Sequence, residues 1–504
     1  MRAERYELRP GRVLFKRSDM IYGHFIEHFH RQIYGGVYDP GSPFADETGL
    51  RTDVLEAMRK IRVPVLRWPG GCFVSAYNWK KAVGPDRTPV FDKAWRVEDP
   101  NCFGTDEYIA LCRKVGCAPY ICTNAGTGTP EEMSDWVEYY NLVTEGEHAR
   151  RRIANGHPEA YGVKYWSIGN ENYGSWEIGA KGSAEWGRLV LESAKMMRRV
   201  DPEIELSAAA LTDIDWNVEL LKACGDWLDW ISVHKYWNQT VEEDSLFSYE
   251  GSMACTADLD TDIRKVRGLL TAMGLEKKIK IAFDEWNLRG WHHPNVFGPR
   301  PGRSGEEYLE PRDRNDINSS YTMADAVFTA CFLNTLNRNA DIVGMGCFAP
   351  IVNTRGCIFT HRDGIVLRST YHVFDLYVNY LGDEVLDIWP RQQETMSVRG
   401  RDGHMEEVRV LDVIASRSCR DGVIAVAAVN KHPEEKRTLS ISLEGGCAGG
   451  VYRVMSVRGD SKDSYNDVGS EQVTLREGPW LPVRNSLEVV LPPHSVQVIQ
   501  IKRS

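Results

Sequence analysis

Two short stretches place a carboxylate where chemistry needs one. In Trp166-Ser-Ile-Gly-Asn-Glu-Asn172 an apolar run ends in a glycine and presents Glu171 between two asparagines. In Ile279-Lys-Ile-Ala-Phe-Asp-Glu-Trp-Asn287 a second apolar run leads to Glu285. Two facing carboxylates are what glycosidic bond hydrolysis uses: one protonates the leaving oxygen while the other attacks the anomeric carbon or activates water. A third acid, Glu27, follows the run at 20–26. The residue types around them suit the same task. The amide of Asn170 can hold a sugar hydroxyl, the guanidinium of Arg67 can keep a neighbouring carboxylate ionised, and Trp68, Trp95, Trp176, Trp286 and Trp291 offer flat apolar faces to sugar C–H surfaces. A structural ion pair accounts for a lone acid of this kind, but not for the pair with its Asn and Trp neighbours.

The elements that must position these acids follow from periodicity. Short apolar runs at 20–26, 64–68, 119–123, 163–168, 205–209, 230–233, 279–283 and 342–347 alternate with amphipathic stretches at 51–62, 105–115, 131–142, 183–200, 218–224, 260–273 and 319–337. Eight strands with intervening helices make an α/β chain whose fold is a (β/α)8 TIM barrel, with active-site residues at the C-terminal strand ends. That placement sets Glu171 and Glu285 on opposite sides of a central pocket, with His234, Tyr236, Asn124 and Phe348 at other strand ends. A doubly wound open sheet would need a phosphate-binding fingerprint after an early strand, and the nearest imitation, Gly174 to Lys181, has the wrong spacing and no strand leading into it.

After about residue 385 the pattern changes to alternating strands at 422–430, 438–443, 451–457, 486–490 and 495–501, separated by Gly, Pro, Asn and Asp turns. This is a C-terminal all-β sandwich of jelly-roll character. Strand-like runs at 5–8 and 12–15 are expected to pair with it, so the chain divides into residues 1–18 with the sandwich, a catalytic barrel at 19–383, and the sandwich at 384–504.

Composition narrows the partners. The 504 residues carry 71 acidic and 61 basic side chains, a net charge of −10, which argues against a general grip on nucleic acid or an anionic membrane. The opening MRAERYELRPGRVLF lacks the apolar core of a signal peptide and no apolar run is long enough to span a bilayer, so a cytoplasmic location is expected. The twelve cysteines show no disulfide spacing and read as reduced thiols; Cys112, Cys117 and Cys122 recur every five residues but are spaced too widely for a usual structural zinc site.

The segments IYGHFIEHFHRQIYGGVYDP, VLRWPGGCFVSAYNW, WSIGNEN with WEIG, SVHKYW and AFDEWN together resemble the α-L-arabinofuranosidases of glycoside hydrolase family 51, over about residues 20–380. The resemblance implies a retaining double displacement without a catalytic metal or other cofactor, on terminal α-L-arabinofuranosyl groups of short oligosaccharides. It implies that Glu171 is the general acid/base and Glu285 the nucleophile. It further implies that Glu27 binds sugar hydroxyls, Arg67 supports the nucleophile, Asn170 binds the 2-OH, and Tyr236 lies beside the nucleophile. Cys72 stands where many members carry Asn, and Trp95 and Trp291 are candidate walls for the aglycone. A homo-oligomer, a hexamer, is implied as well. Two departures bear on specificity: the nucleophile motif continues Leu-Arg-Gly-Trp291, and the region taken for the strand-8 loop reads Leu367-Arg-Ser-Thr370, where no Gln reaches the sugar.

Retention requires carboxyl groups about 5–5.5 Å apart instead of the roughly 6.5–9.5 Å of an inverter. It also leads us to expect that burial and the charge of Glu285 raise the pKa of Glu171. β-D-galactofuranosides or β-D-xylosides are the alternative substrates on the same fold. Two other function classes match parts of the sequence. His24-Phe-Ile-Glu-His28 matches the H-x-x-E-H pattern of inverted zinc peptidases, which needs a helix where a strand is expected. A non-catalytic carbohydrate-binding protein would use the aromatics but has no need to desolvate two acids.

Overall fold

In the computed structural model, which describes residues 3–238, 248–290, 314–400, 403–445, 450–483 and 486–502, eight parallel strands close into a barrel. They are β1 (Gly23–Phe25), β2 (Val65–Trp68), β3 (Ala118–Thr123), β4 (Tyr165–Ile168), β5 (Glu205–Ala210), β6 (Trp230–Asn238), β7 (Lys280–Arg289) and β8 (Val343–Phe348). The ring closes where Cys347 and Phe348 of β8 pair with Gly23 and His24 of β1. Helices Thr52–Lys60, Thr105–Val115, Pro130–Asn141, Ser183–Val200, Ile214–Cys224, Leu259–Ala272, Met323–Arg338 and Ser369–Tyr380 follow the strands in turn. Their ends are locally encoded: Thr129 caps Pro130–Asn141 by accepting from the Glu132 amide, and Gly116 ends Thr105–Val115 in the left-handed region at φ 86°.

Three strands differ from the sequence reading. Residues 19–22 form a 3-10 turn capped by Ser18, which accepts from the Met20 amide at 3.2 Å, so β1 keeps only three residues. Gly23 is needed there because a Cβ would stand 2.5 Å from Val65 Cγ1 and 2.6 Å from the Gly346 carbonyl. β6 runs on to 238 and β7 to 289, past the ends at 233 and 283 that the apolar runs suggest. These extensions are polar segments held by partners on other strands.

Alternate residues climb the inner wall. On β6 they are Trp230, Ser232, His234 and Tyr236; on β2 they are Val65 and Arg67. Phe25, Val65, Tyr120, Trp230, Ala282, Met345 and Cys347 form a buried cluster that plugs the barrel, and the polar residues stand above it. The outward set, including Leu66, Trp68, Phe283 and Trp286, packs under the helices.

The second unit is a ten-stranded sheet with its own core of Leu8, Val426, Leu439, Ile441, Leu487 and Ile499. The N-terminal strand Ala3–Lys16 lies inside this sheet, antiparallel to Glu384–Gln392 and parallel to Arg437–Leu443. Among the described residues no two cysteines form a disulfide, and Cys112, Cys117 and Cys122 do not form a metal-capable cluster. No described helix is long and apolar enough to cross a membrane.

Candidate active site

The site starts with a break in strand regularity. Consecutive residues of a strand face opposite sides, yet Asp284 and Glu285 both point inward, because β7 carries register irregularities against both neighbours between residues 282 and 286. Phe283 and Trp286, on either side, pack outward on Phe332 of helix Met323–Arg338. Both acids are buried and both meet Arg67 of β2: Nη1 donates to Glu285 Oε1 at 2.6 Å, and Nε lies 3.4 Å from Asp284 Oδ2. The Tyr236 hydroxyl donates to Glu285 Oε2 at 2.9 Å. Asp284 also accepts from Ser232 at 2.6 Å and Tyr120 at 2.8 Å. Burial alone would raise the Asp284 pKa, but the charges of Arg67 and His234 and the hydrogen bonds outweigh it and bring it to about 2.

Glu171 follows β4 through Gly169, at φ 71°, and itself sits at φ 45° in the left-handed region that a non-glycine residue rarely adopts. A Cβ at 169 would stand 2.2 Å from Asn172 Oδ1 and 2.5 Å from the Trp186 ring, so glycine is what lets the chain turn here. The strained turn aims Glu171 at His234: Nδ1 of His234 is 2.8 Å from Glu171 Oε1 and 3.5 Å from Glu285 Oε2. Trp176 donates its indole N–H to Glu171 Oε2 at 2.8 Å. One oxygen of each carboxylate and a ring nitrogen of His234 all lie within 4.8 Å of one another. This close approach of two oxygens fits the short carboxyl separation of retaining glycosidases.

The expectation that Glu171 has a raised pKa is corrected. Burial raises it, but hydrogen bonds from His234 and Trp176 and the charges of His234 and Arg67 outweigh burial and lower it. His234 compensates. Burial disfavours its charged form, yet Glu285, Asp284 and Glu171 around it lift its pKa to about 10. The two shifts thus run in opposite directions across the 2.8 Å contact, Glu171 downward and His234 upward.

Glu27 stands on a second shelf beside these acids. Glu27 Oε1 accepts from the Phe73 amide at 3.1 Å and from the Trp95 indole at 2.9 Å, while burial and the charge of Glu285 push its pKa well up. Trp95 is 4% exposed and packs on Phe29, so it braces Glu27 instead of forming the open aglycone wall expected of it. Trp291 lies outside the described residues. Of the other tryptophans, Trp68 and Trp286 are core residues, and Trp176, at 43% exposure, is the one with an open face beside Glu171. Asn170 accepts from Arg67 Nη2 at 2.9 Å through Oδ1 and donates from Nδ2 to Glu177 Oε2 at 3.3 Å. Cys72 is half-buried, with its sulfur within 4.8 Å of carboxylate oxygens of Glu171 and Glu177.

The structure thus brings together Glu27, Arg67, Cys72, Asn170, Glu171, Tyr236 and Glu285 at one mouth. Asp284 and Glu177 join them without having been singled out, and His234, expected at a strand end but given no role, joins as the partner of both acids. The signal for Asp284 was present in two adjacent acids within an apolar strand, and that for His234 in the need of those acids for a cation. The loop after β8 runs from Ala349 to Arg368 and includes the hairpin Ile358–His361 with Gly364–Leu367, so Leu367-Arg-Ser-Thr370 closes that loop and starts helix Ser369–Tyr380. In the H-x-x-E-H segment no helix forms: His24 lies in β1, wholly buried against Phe374, and His28 Nδ1 meets Asp99 at 2.8 Å.

Comparison with known proteins agrees with this geometry. Residues 57–253 match the family described as Alpha-L-arabinofuranosidase 1 domain, and residues 284–495 match the Alpha-L-arabinofuranosidase C-terminal domain. The chain is 32% identical to Alpha-L-arabinofuranosidase C of Emericella nidulans, over 98% of this chain and 97% of the relative. It is 36% identical to an intracellular exo-α-(1→5)-L-arabinofuranosidase of Halalkalibacterium halodurans, over 69% and 70% of the two chains. The crystal structure of the Thermotoga maritima α-L-arabinofuranosidase in complex with arabinose superposes with a TM-score of 0.87 at 34% identity, covering 99% of both chains. The GH51 enzyme of Thermotoga petrophila gives a TM-score of 0.88, also at 34% identity.

Proposed function

The chain belongs to the family-51 α-L-arabinofuranosidases, exo-acting glycoside hydrolases, and from that premise we propose how its own residues carry the reaction. Glu285 is the nucleophile. Arg67 and Tyr236 hold its two oxygens so that it meets the anomeric carbon in a fixed orientation. Glu171, sharing a proton with His234, is the acid that protonates the leaving oxygen. Formation of the glycosyl ester removes the charge of Glu285, which is a leading cause of the high proton affinity of His234. Having given its proton to the leaving oxygen, Glu171 is a carboxylate and serves as the base that takes a proton from the attacking water, whose oxygen displaces Glu285 from the anomeric carbon. Glu27 and Asn170 contact sugar hydroxyls, Cys72 lines the same side, and the open face of Trp176 receives the leaving sugar.

The single observation that carries this reading is the grouping of Glu171, His234 and Glu285 within 4.8 Å. Short α-(1→5)-linked arabino-oligosaccharides met in the cytoplasm are the proposed substrates, in keeping with the Halalkalibacterium relative. A homohexamer belongs to the same proposal, and sedimentation analysis checks it. The test of function is nitrophenol release from an aryl α-L-arabinofuranoside by the wild type and by Glu285→Gln, with a chelator in both. Rapid release that collapses in the variant supports the assignment. No release by the wild type, with turnover of a galactofuranoside or xyloside instead, would move the assigned sugar.

A further inference from the structure

Glu177 has no part in the reaction as set out above, yet it is 5% exposed and lies against its two most important polar groups. Its Oε2 accepts from Asn170 Nδ2, whose other end is fixed by Arg67, and Arg67 in turn holds Glu285. This makes a chain of contacts from Glu177 through Asn170 and Arg67 to the nucleophile. On its other side a carboxylate oxygen of Glu177 lies within 4.8 Å of one of Glu171. We propose that Glu177 is a positioning residue for this hydrolysis, fixing the Asn170 amide toward the sugar and sustaining the proton of the Glu171–His234 pair by its negative charge. The inference rests on the assignment of Glu171 as acid/base.

The local chemistry supports both parts. An asparagine amide has two N–H groups; with one tied to Glu177 and the carbonyl tied to Arg67, the second is left in a fixed direction for a hydroxyl. Without Glu177 the amide could rotate or flip. Glu177 Oε1 is buried and meets no donor in good geometry, the condition under which a carboxyl takes up a proton. Burial is the main cause that brings its pKa to about 7, with the charge of Glu171 adding to it. The titratable groups that face it are Glu171 on its own loop, Cys72 on the turn after β2, Glu27 beyond β1, and Tyr173. Apart from these, the groups touching it are the neutral Ser75 and Asn170.

The sign of the effect follows from reciprocity. If the charge of Glu171 raises the pKa of Glu177, an ionised Glu177 raises the proton affinity of Glu171 equally. As pH climbs past about 7, Glu177 ionises and delays the loss of the catalytic proton. Removing that charge brings the loss to lower pH.

The experiment is the pH profile of kcat/KM on 4-nitrophenyl α-L-arabinofuranoside for the wild type, Glu177→Gln and Glu177→Ala, with thermal unfolding of each as a check of folding. Gln keeps an acceptor for Asn170 and the volume but not the charge. The expected result is a basic limb moved down by about 0.5–2 pH units in Glu177→Gln, given one charge at this range in a partly screened site. Glu177→Ala should show the same shift together with a KM raised about tenfold, because the Asn170 amide is released. A basic limb that does not move in Glu177→Gln, or an equal loss of kcat at every pH in both variants, would overturn the proposal while leaving the function assigned to the chain intact. No turnover by the wild type would overturn both.

Discussion

In the C-terminal sheet, strand Ser486–Leu491 alternates exposed and buried residues without a break, and Ile424–Asn430 pairs with both neighbours in continuous register. In the barrel, β7 shifts register against both neighbours and buries an aspartate beside a glutamate, while Glu171 holds a left-handed backbone. These two strands of the C-terminal sheet follow their local rules, and that sheet's irregularities lie in Ala3–Lys16 against Glu384–Gln392, whereas the barrel departs from the rules at the points that face the pocket. The comparison teaches where each region's free energy goes. Apolar burial in the C-terminal sheet goes into stability, whereas the barrel mouth holds desolvated charges and a strained turn that only their mutual pairing offsets.

The comparison can be broken first at Glu285. Glu285→Gln is expected to lower kcat by about 10⁴-fold or more while the protein stays folded, as checked by single-turnover kinetics and circular dichroism. A loss below tenfold would remove Glu285 from the chemistry. Glu171→Gln comes next and its effect depends on the leaving group. For a sugar leaving group the expected loss is about 10²–10⁴-fold, and for a dinitrophenyl group far less, since the latter needs no proton. Equal losses on both would mean that Glu171 does not act as an acid.

The same comparison predicts the opposite pattern in the C-terminal sheet. Leu439 is wholly buried in its core, so Leu439→Ala is expected to cost about 2–5 kcal/mol of stability by denaturant unfolding, with kcat/KM unchanged well below the transition. A change in kcat/KM under those conditions would show that the sheet takes part in the site.

How far these features could be read in advance follows the same division. β2, β3, β4 and β5 were visible as apolar runs bounded by turns, and helices Thr105–Val115 and Ser183–Val200 were legible to the residue because amphipathic period and terminal signals agree there. The candidate acids were visible because each follows such a run. What could not be read was burial of charge. Nothing local in Phe-Asp-Glu-Trp says that a bulge turns both acids inward, or that His234 arrives from another strand to meet them; the pairing of Arg67 with Glu285 was expected, its contact with Asp284 was not. For the same reason the expected rise in the Glu171 pKa came out reversed: burial was legible, and the histidine contact was not. Trp95 looked like an open platform because a lone aromatic in a loop carries no mark of the carboxylate it will brace.

The smallest effect concerns pH and stability. His234 has a folded pKa of about 10, raised above the ordinary histidine value of roughly 6.5, so its contribution is fully present below the lower value and is lost as pH rises toward the upper. Asp284, depressed to about 2, contributes above the ordinary aspartate value of roughly 3.9 and loses that contribution as pH falls. Denaturant unfolding of the wild type should therefore weaken between neutral pH and pH 10, and His234→Gln should flatten that slope. The same slope in both proteins would show that His234 is not charged in the folded state.

The most direct test of the two-carboxylate mechanism is to mix Glu171→Gln with a dinitrophenyl α-L-arabinofuranoside and map the covalent adduct by peptide mass spectrometry. The expected result is a pentosyl group on the peptide that contains Glu285, formed together with a burst of phenol. Phenol released with no adduct, or an adduct on any other residue, would contradict the assignment of Glu285 as nucleophile.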